Sequence, residues 1–339
     1  MEIVKNDVFK KLNYKNLKGP ISVAFTITKD CNFRCLHCYN ESGTTKNMTA
    51  TQEELLFIAE QIAELEPVNV CLCGGETLID YETTIKIVKY LNSKVGNLNM
   101  VSNGFLATKV RLIELKESGI HTFQVSLDGD NNFTHDNMRR MPGSFEKAIE
   151  TIKLAVEVGL KVAVSFVPQK INYKYVGSTC DLCYKLGVTE FRVMPLIPMG
   201  RGSLIDKLLL TSEEYIELQQ ELLRKKFEYE YKMNVQWGDP IDHLYRLPSN
   251  AHLNLSSYSL EVNFDGNITV STYLPIIVGN CFKYRLIDYW NAGYKDIWNS
   301  PTVKYYTEQI NTVFDFNKPI FSKNIYIDTL NEKLKDGIK

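Results

Sequence analysis

From Ile21 to Pro195 the chain alternates short apolar runs with amphipathic ones, and this rhythm restricts the fold more than any other feature of its 339 residues. The run ISVAFTIT, starting at Ile21, reads as a buried strand. In the segment after it, Thr51 and Glu54 make a capping-box pair, and Leu55, Ile58, Ala59 and Ile62 recur at helical spacing. VNVCLC, LNMVSNG, TFQVSLDG, KVAVSFV and EFRVMP read as further strands. They are separated by the helical runs YETTIKIVKYLN, TKVRLIELKESG, SFEKAIETIKLAVEVG and YVGSTCDLCYKLG. Repeated strand–helix units of this kind predict a parallel sheet with right-handed crossovers. The expected fold is α/β: a partial, three-quarter parallel (β/α)6 barrel over residues 21–205, after an N-terminal lead-in at 1–20. Ligands of such sheets gather at the C-terminal ends of the strands. Three cysteines and the segments GGET, SNG and SLDG all sit directly after a strand.

From Arg201 the rhythm breaks. Thr211 and Glu214 form a second capping-box pair ahead of a long helix, and YSLEVNFDGNITVS alternates as a hairpin around Asp265-Gly266. Residues 206–339 are therefore expected to form a smaller α+β extension. Lys+Arg 39 against Asp+Glu 40 leaves a net charge of −1, which gives no electrostatic footprint for nucleic acid or an anionic membrane. Neither a signal segment nor a membrane-spanning apolar run is visible, so the cytoplasm is the expected location. The eight cysteines lack the spread of a small disulfide scaffold, and reduced thiols with metal chemistry are expected.

Asp30 to Asn40 reads DCNFRCLHCYN, with cysteines at 31, 35 and 38. Thiolates are soft ligands, and iron–sulfur clusters are normally held by four. The spacing C-x3-C-x2-C supplies three from one loop with no fourth nearby. One iron of a [4Fe-4S] cluster would then lack a protein ligand and stay open as a binding position. A structural zinc site wants a closed set of four, and His37, flanked by two of the cysteines, is too constrained to complete it. Three unrelated buried cysteines are the bland alternative; their place after a strand and ahead of three further strand-end motifs weighs against it.

CNFRCLHC resembles the signature of the radical S-adenosylmethionine (SAM) enzymes, in which the open iron is chelated by the amino and carboxylate groups of SAM. The resemblance runs from about Pro20 to Ser203, with several motifs in the same order. It implies that Cys31, Cys35 and Cys38 hold one [4Fe-4S] cluster and that His37 lies on the adenine side. It further implies that Gly74, Gly75 and Glu76 hold the methionine amino group. Ser102, Asn103, Ser126 and Asp128 would line the ribose and methionine, and Arg139 would face the SAM carboxylate. HDNMRRMPGSF and PMGRGS resemble the subgroup that carries a C-terminal SPASM or shortened twitch extension. Ordinary readings stand beside these: a Gly-Gly turn, a helix cap at Ser102 or Asn103, turn chemistry at Asp128-Gly129, and an ion pair of Arg139 with Asp136.

The remaining cysteines depart from that subgroup. Cys180 and Cys183 fall at helical spacing with Val176 and Gly187 and read as a core-facing stripe. After the hairpin, where the subgroup often shows a cysteine, this chain has Val270-Ser271-Thr272, and only Cys281 follows. One cysteine cannot hold a cluster, so the extension is expected to be a cluster-free lid. The resemblance then implies reductive cleavage of SAM to a 5'-deoxyadenosyl radical that abstracts a hydrogen atom from substrate. The electron donor would be of flavodoxin or ferredoxin type. The expected substrate is a ribosomally synthesised peptide undergoing epimerisation or cross-linking. The short stretch before the first strand, with no room for a separate leader-binding domain, counts against that reading without removing it. A cofactor- or tetrapyrrole-pathway small molecule is the alternative, and a non-catalytic iron–sulfur carrier or sensor, which would not need Glu76, the remote one. Cys281, ahead of Cys73, is the expected catalytic hydrogen donor.

Overall fold

In the computed structural model, which describes residues 17–44, 50–204, 206–238, 259–327 and 330, strand β1 (Ser22–Thr26) carries Val23 and Phe25 into the core. Ser22, Ala24 and Thr26 point to the opposite face, as successive strand residues do. The chain continues through α1 (Gln52–Glu64), β2 (Asn69–Cys73), α2 (Tyr81–Leu91), β3 (Asn97–Ser102), α3 (Lys109–Glu117) and β4 (Thr122–Ser126). Helices α4 (Asn132–Arg139) and α5 (Ser144–Glu157) lead to β5 (Lys161–Phe166), and α6 (Val176–Lys185) leads to β6 (Glu190–Val193). These six strands pair in parallel and in chain order. The box at Thr51 starts α1 as the sequence predicts: the Glu54 N–H donates to Thr51 Oγ1 at 3.2 Å and the Thr51 N–H to the Glu54 carboxylate at 2.8 Å.

The two faces of the sheet differ in chemistry. Val70, Leu72, Leu98, Met100, Phe123 and Val125 are all buried in the hydrophobic core, while the rows facing the barrel lumen include many polar side chains. Asn69 Nδ2 donates to Ser22 Oγ at 3.0 Å, and Arg192 Nη1 on β6 donates to Gln124 Oε1 on β4 at 2.9 Å. A packed barrel fills its interior with branched apolar side chains. This lumen is instead furnished with hydrogen-bonding groups.

Beyond residue 205, α7 (Ser212–Glu228) starts from the Thr211/Glu214 box, and β7 (Asn234–Trp237) adds to β6 in parallel. The expected hairpin is present as β8 (Ser259–Asn263) and β9 (Asn267–Thr269). β10 (Ile276–Asn280), α8 (Leu286–Ala292), α9 (Pro301–Thr307) and β11 (Ile325–Tyr326) follow. β8 pairs in parallel with β1, so the strands of the extension continue the barrel sheet, in the order β11-β10-β9-β8-β1-β2-β3-β4-β5-β6-β7. The change of rhythm near residue 205 thus falls within one eleven-stranded sheet. Gln61 of α1, fully buried, donates to the Cys281 carbonyl at 3.1 Å and accepts from the Leu286 N–H at 2.9 Å, which locks the extension to the barrel helices. Residues 1–16 of the lead-in and 239–258, 328–329 and 331–339 of the extension lie outside the described residues. Among the described residues no helix is long and apolar enough to cross a membrane.

Candidate active site

The loop after β1 and the loops after β2, β3 and β6 close around a cavity of about 310 Å³. Cys31, Cys35 and Cys38 line it, together with His37, Cys73, Gly74, Gly75, Ser102, Asn103, Ser126 and Arg139. Each of the three sulfurs receives a donor. The Phe33 N–H lies 3.4 Å from Cys31 Sγ, the Ser42 N–H 3.4 Å from Cys38 Sγ, and Arg139 Nη1 3.8 Å from Cys35 Sγ. Hydrogen bonds to sulfur are what an iron–sulfur site uses to hold and tune its thiolates. Burial pushes the Cys31 thiol up to about 12 and raises that of Cys35, so both favour the protonated form until a cation displaces the protons. Among the described residues no three His, Cys, Asp or Glu side chains converge on a point that suits one metal ion. A cuboidal cluster makes no such demand, because each thiolate binds a different iron. The donor set therefore fits a [4Fe-4S] cluster at Cys31, Cys35 and Cys38.

The glycines after β2 are required by close approach. A Cβ on Gly74, whose φ is +156°, would lie 2.6 Å from the Thr28 carbonyl oxygen, and one on Gly75 would lie 2.1 Å from that of Asp30. The approach allows the Gly75 and Glu76 N–H groups to donate to Thr28 and Asp30 at 2.8 and 2.9 Å, tying the β2 loop to the cysteine loop. Glu76, 1% exposed, sits behind the cavity wall, where it accepts from the Leu78 N–H at 3.0 Å, Ser102 Oγ at 2.7 Å and the Asn103 N–H at 2.7 Å. Burial raises its carboxyl pKa against these three donors. Three of roughly four lone-pair sites are thus used within the protein, leaving about one for an ammonium. Ser102 and Asn103 do not cap the next helix, whose cap is Thr108. Asn103 Nδ2 instead reaches Asn32 Oδ1 in the cysteine loop at 2.8 Å.

Asp128 requires a correction. The resemblance set it on the ribose and methionine, but it is fully buried and does not line the cavity. Its Oδ2 lies 2.8 Å from Arg139 Nε, a close ion pair short of an aligned hydrogen bond, and 3.7 Å from His37 Nε2. Its Oδ1 accepts from the Val167 N–H at 3.0 Å. Burial works to raise the Asp128 pKa, but the Arg139 guanidinium and the two neighbouring imidazoles hold it below the usual range. Burial pushes His37 down to about 4, so its ring is neutral, with Nδ1 unpartnered among the described residues. Asp128 therefore orients Arg139, and Arg139 faces the cavity and Cys35. Asp136, the ordinary partner proposed for Arg139, is engaged elsewhere: it accepts from the N–H groups of Gly143 and Phe145 at 2.7 and 2.8 Å.

Cys281 also requires one. It is 2% exposed and outside the cavity, packed in the core, with its N–H donating to the Gly266 carbonyl and its carbonyl bonded to Gln61 of α1. Nothing in local alternation tells which side of a twisted sheet a residue just past the end of β10 will take. Cys73 does line the cavity, 3.6 Å from Thr26 Oγ1, and Cys180 and Cys183 are fully buried core residues.

Arg201 was legible only as part of PMGRGS. Its Nε donates to the Cys35 carbonyl at 2.8 Å, its Nη1 to the Ser42 carbonyl at 2.9 Å, and its N–H to the Cys38 carbonyl at 3.0 Å. Gly200, with φ +55°, brings the two loops so close that a Cβ would lie 2.4 Å from the Tyr39 carbonyl oxygen. The loop after β6 thus clamps the cysteine loop at both ends. Arg201→Met removes two charge-assisted hydrogen bonds, a loss of about 3 kcal/mol or more in loop order. The variant is expected to lose its visible iron–sulfur absorbance several-fold faster than the parent when oxygen is admitted; equal rates would show that the clamp does not hold the cluster loop.

Comparisons with known proteins give the family. The Radical SAM superfamily model matches residues 25–183. A protein of Saccharolobus islandicus described as a probable GTP 3',8-cyclase is 31% identical over 217 residues, 61% of this chain and 68% of its own. The AdoMet-dependent heme synthase of Methanosarcina barkeri is 25% identical over 80% of this chain and 82% of its own. The sporulation killing factor maturation protein SkfB of Bacillus subtilis is 27% identical over 66% of this chain, which spans about half (52%) of that relative. Among solved structures, Streptococcus suis SuiB bound to S-adenosylmethionine superposes with a TM-score of 0.66 at 16% identity, covering 87% of this chain and 69% of SuiB. The chain belongs to the radical SAM superfamily. It is a radical SAM enzyme, and its cofactors are a [4Fe-4S] cluster and SAM.

Proposed function

We propose that this enzyme modifies a ribosomally synthesised peptide by a redox-neutral change such as epimerisation of one residue. Cys31, Cys35 and Cys38 would hold the cluster, which when bound would supply the electron for reductive cleavage of SAM and so the radical chemistry of hydrogen abstraction. Arg139 and the Gly74-Gly75-Glu76 turn orient SAM against the cysteine loop, and His37 and Ser126 border it. Residues 206–339 act as a cluster-free extension, with Tyr273 forming part of the cavity wall.

The observation that carries the reading is the Cys73 thiol opening on the same cavity as the three ligand cysteines. Burial raises its pKa, so it carries the S–H hydrogen that a substrate carbon radical needs. The substrate radical takes that hydrogen atom and becomes product. The sulfur radical left on Cys73 is restored by one electron from a donor of flavodoxin or ferredoxin type and one proton from solvent. Peptide substrates are supported by the likeness to SkfB, a maturation protein. The heme synthase relative, matched over more of both chains, favours a small tetrapyrrole-type substrate as the second reading.

Turnover in deuterated water with candidate precursor peptides decides the matter. Release of 5'-deoxyadenosine with a product one mass unit heavier, and loss of that label in Cys73→Ala, is expected. A product two units lighter points to cross-linking or desaturation and overturns the redox-neutral reading.

A further inference from the structure

Glu261 is a carboxylate that neither the cluster nor SAM uses. It lies on β8 directly beside Ala24 of β1, and Ala24 in turn pairs with Cys71. Its strand neighbours Leu260 and Val262 are fully buried in the hydrophobic core, so Glu261 points to the other face, into the lumen. Thr272 Oγ1 lies 2.9 Å from both carboxylate oxygens, and Thr269 Oγ1 lies 3.3 Å from Oε2. Among the described residues no cation pairs with it, and burial raises its pKa. Two hydroxyls and the Thr272 N–H leave part of the charge on this half-buried carboxylate uncompensated.

Its neighbours make a wall for a cation. Tyr273 follows Thr272 directly and lines the cavity, as does Tyr39 from the cysteine loop. Their ring centroids are 6.4 Å apart with planes tilted by 56°. Aromatic faces beside a carboxylate favour an ammonium or guanidinium group, through the ring quadrupole and the ion pair together.

We infer that Glu261, with the Tyr39 and Tyr273 rings, forms a subsite for a cationic group of the substrate, such as a lysine or arginine side chain. The subsite holds a basic group on the β8 side of the lumen while the adjoining chain runs past Cys73. This rests on the reading that substrate enters this cavity, and it deepens that reading by naming the charge the substrate carries.

Calorimetric titration of reconstituted, SAM-bound protein with Nα-acetyl-lysine methylamide and with its neutral isostere Nα-acetyl-norleucine methylamide tests the subsite without turnover. The lysine probe is expected to bind about tenfold more tightly, equivalent to about 1.4 kcal/mol. In Glu261→Gln, with iron content and SAM binding confirmed unchanged, the ratio is expected to fall to near one. Equal binding of the two probes to the parent protein, which requires no variant, overturns the subsite, as does a preference that survives Glu261→Gln. Failure of the peptide reading looks different: no precursor peptide raises 5'-deoxyadenosine release while the probe preference persists.

Discussion

Alanine at Cys31, Cys35 or Cys38 is expected to bring iron content close to zero and SAM cleavage to background, whereas alanine at Cys180 or Cys183 is expected to leave both nearly unchanged. The first three sulfurs share one cavity and each accepts a hydrogen bond from N–H or guanidinium. The other two are fully buried among core side chains of α6. Removing one small buried sulfur from a helix packed on the sheet costs on the order of 1 kcal/mol, too little to unfold a chain of this size. Anaerobic reconstitution followed by iron analysis and quantification of 5'-deoxyadenosine checks both halves. Loss of iron in Cys183→Ala would mean that the α6 pair serves the cluster.

A second large effect is expected at Asp128. In Asp128→Ala the Arg139 guanidinium stays charged and buried without its carboxylate, and the Val167 N–H loses its acceptor. Breaking a buried pair from one side costs about 3–5 kcal/mol, whereas replacing both partners by apolar groups is often close to neutral. The double variant Asp128→Ala/Arg139→Met is therefore expected to recover part of the stability lost in Asp128→Ala, yet still bind SAM poorly. Denaturant melts of the two proteins, read beside SAM affinity, separate the effects. A loss below about 1 kcal/mol in the single variant would show that the pair is not desolvated as the geometry implies.

The barrel was legible because local periodicity encodes it: apolar runs of strand length alternate with helices, the first of them with its cap, Thr51, written in the sequence. The cysteine loop was legible because three soft ligands at short spacing have few other uses. Long-range pairing was not legible. That β8 lies in parallel beside β1 depends on a sheet edge assembled from distant segments, and no local pattern near Ser259 announces it. For the same reason an alternating strand gave no sign that Glu261 faces the lumen, or that Cys281 lies behind α1. Asp128 was misplaced because a motif identifies a residue with a site without telling which of its neighbours it serves. Arg201 acts by bonding backbone carbonyls, which any sequence supplies, so only the folded loop reveals its partners.

The claim on which the account turns is that this chain holds a single cluster, at the loop after β1, and none in its extension. Iron and acid-labile sulfide counted per chain after anaerobic reconstitution and desalting test it most directly. About four of each is the value predicted for one [4Fe-4S] cluster on three cysteines and SAM; a count near eight or twelve would place a second cluster in the extension and contradict the account.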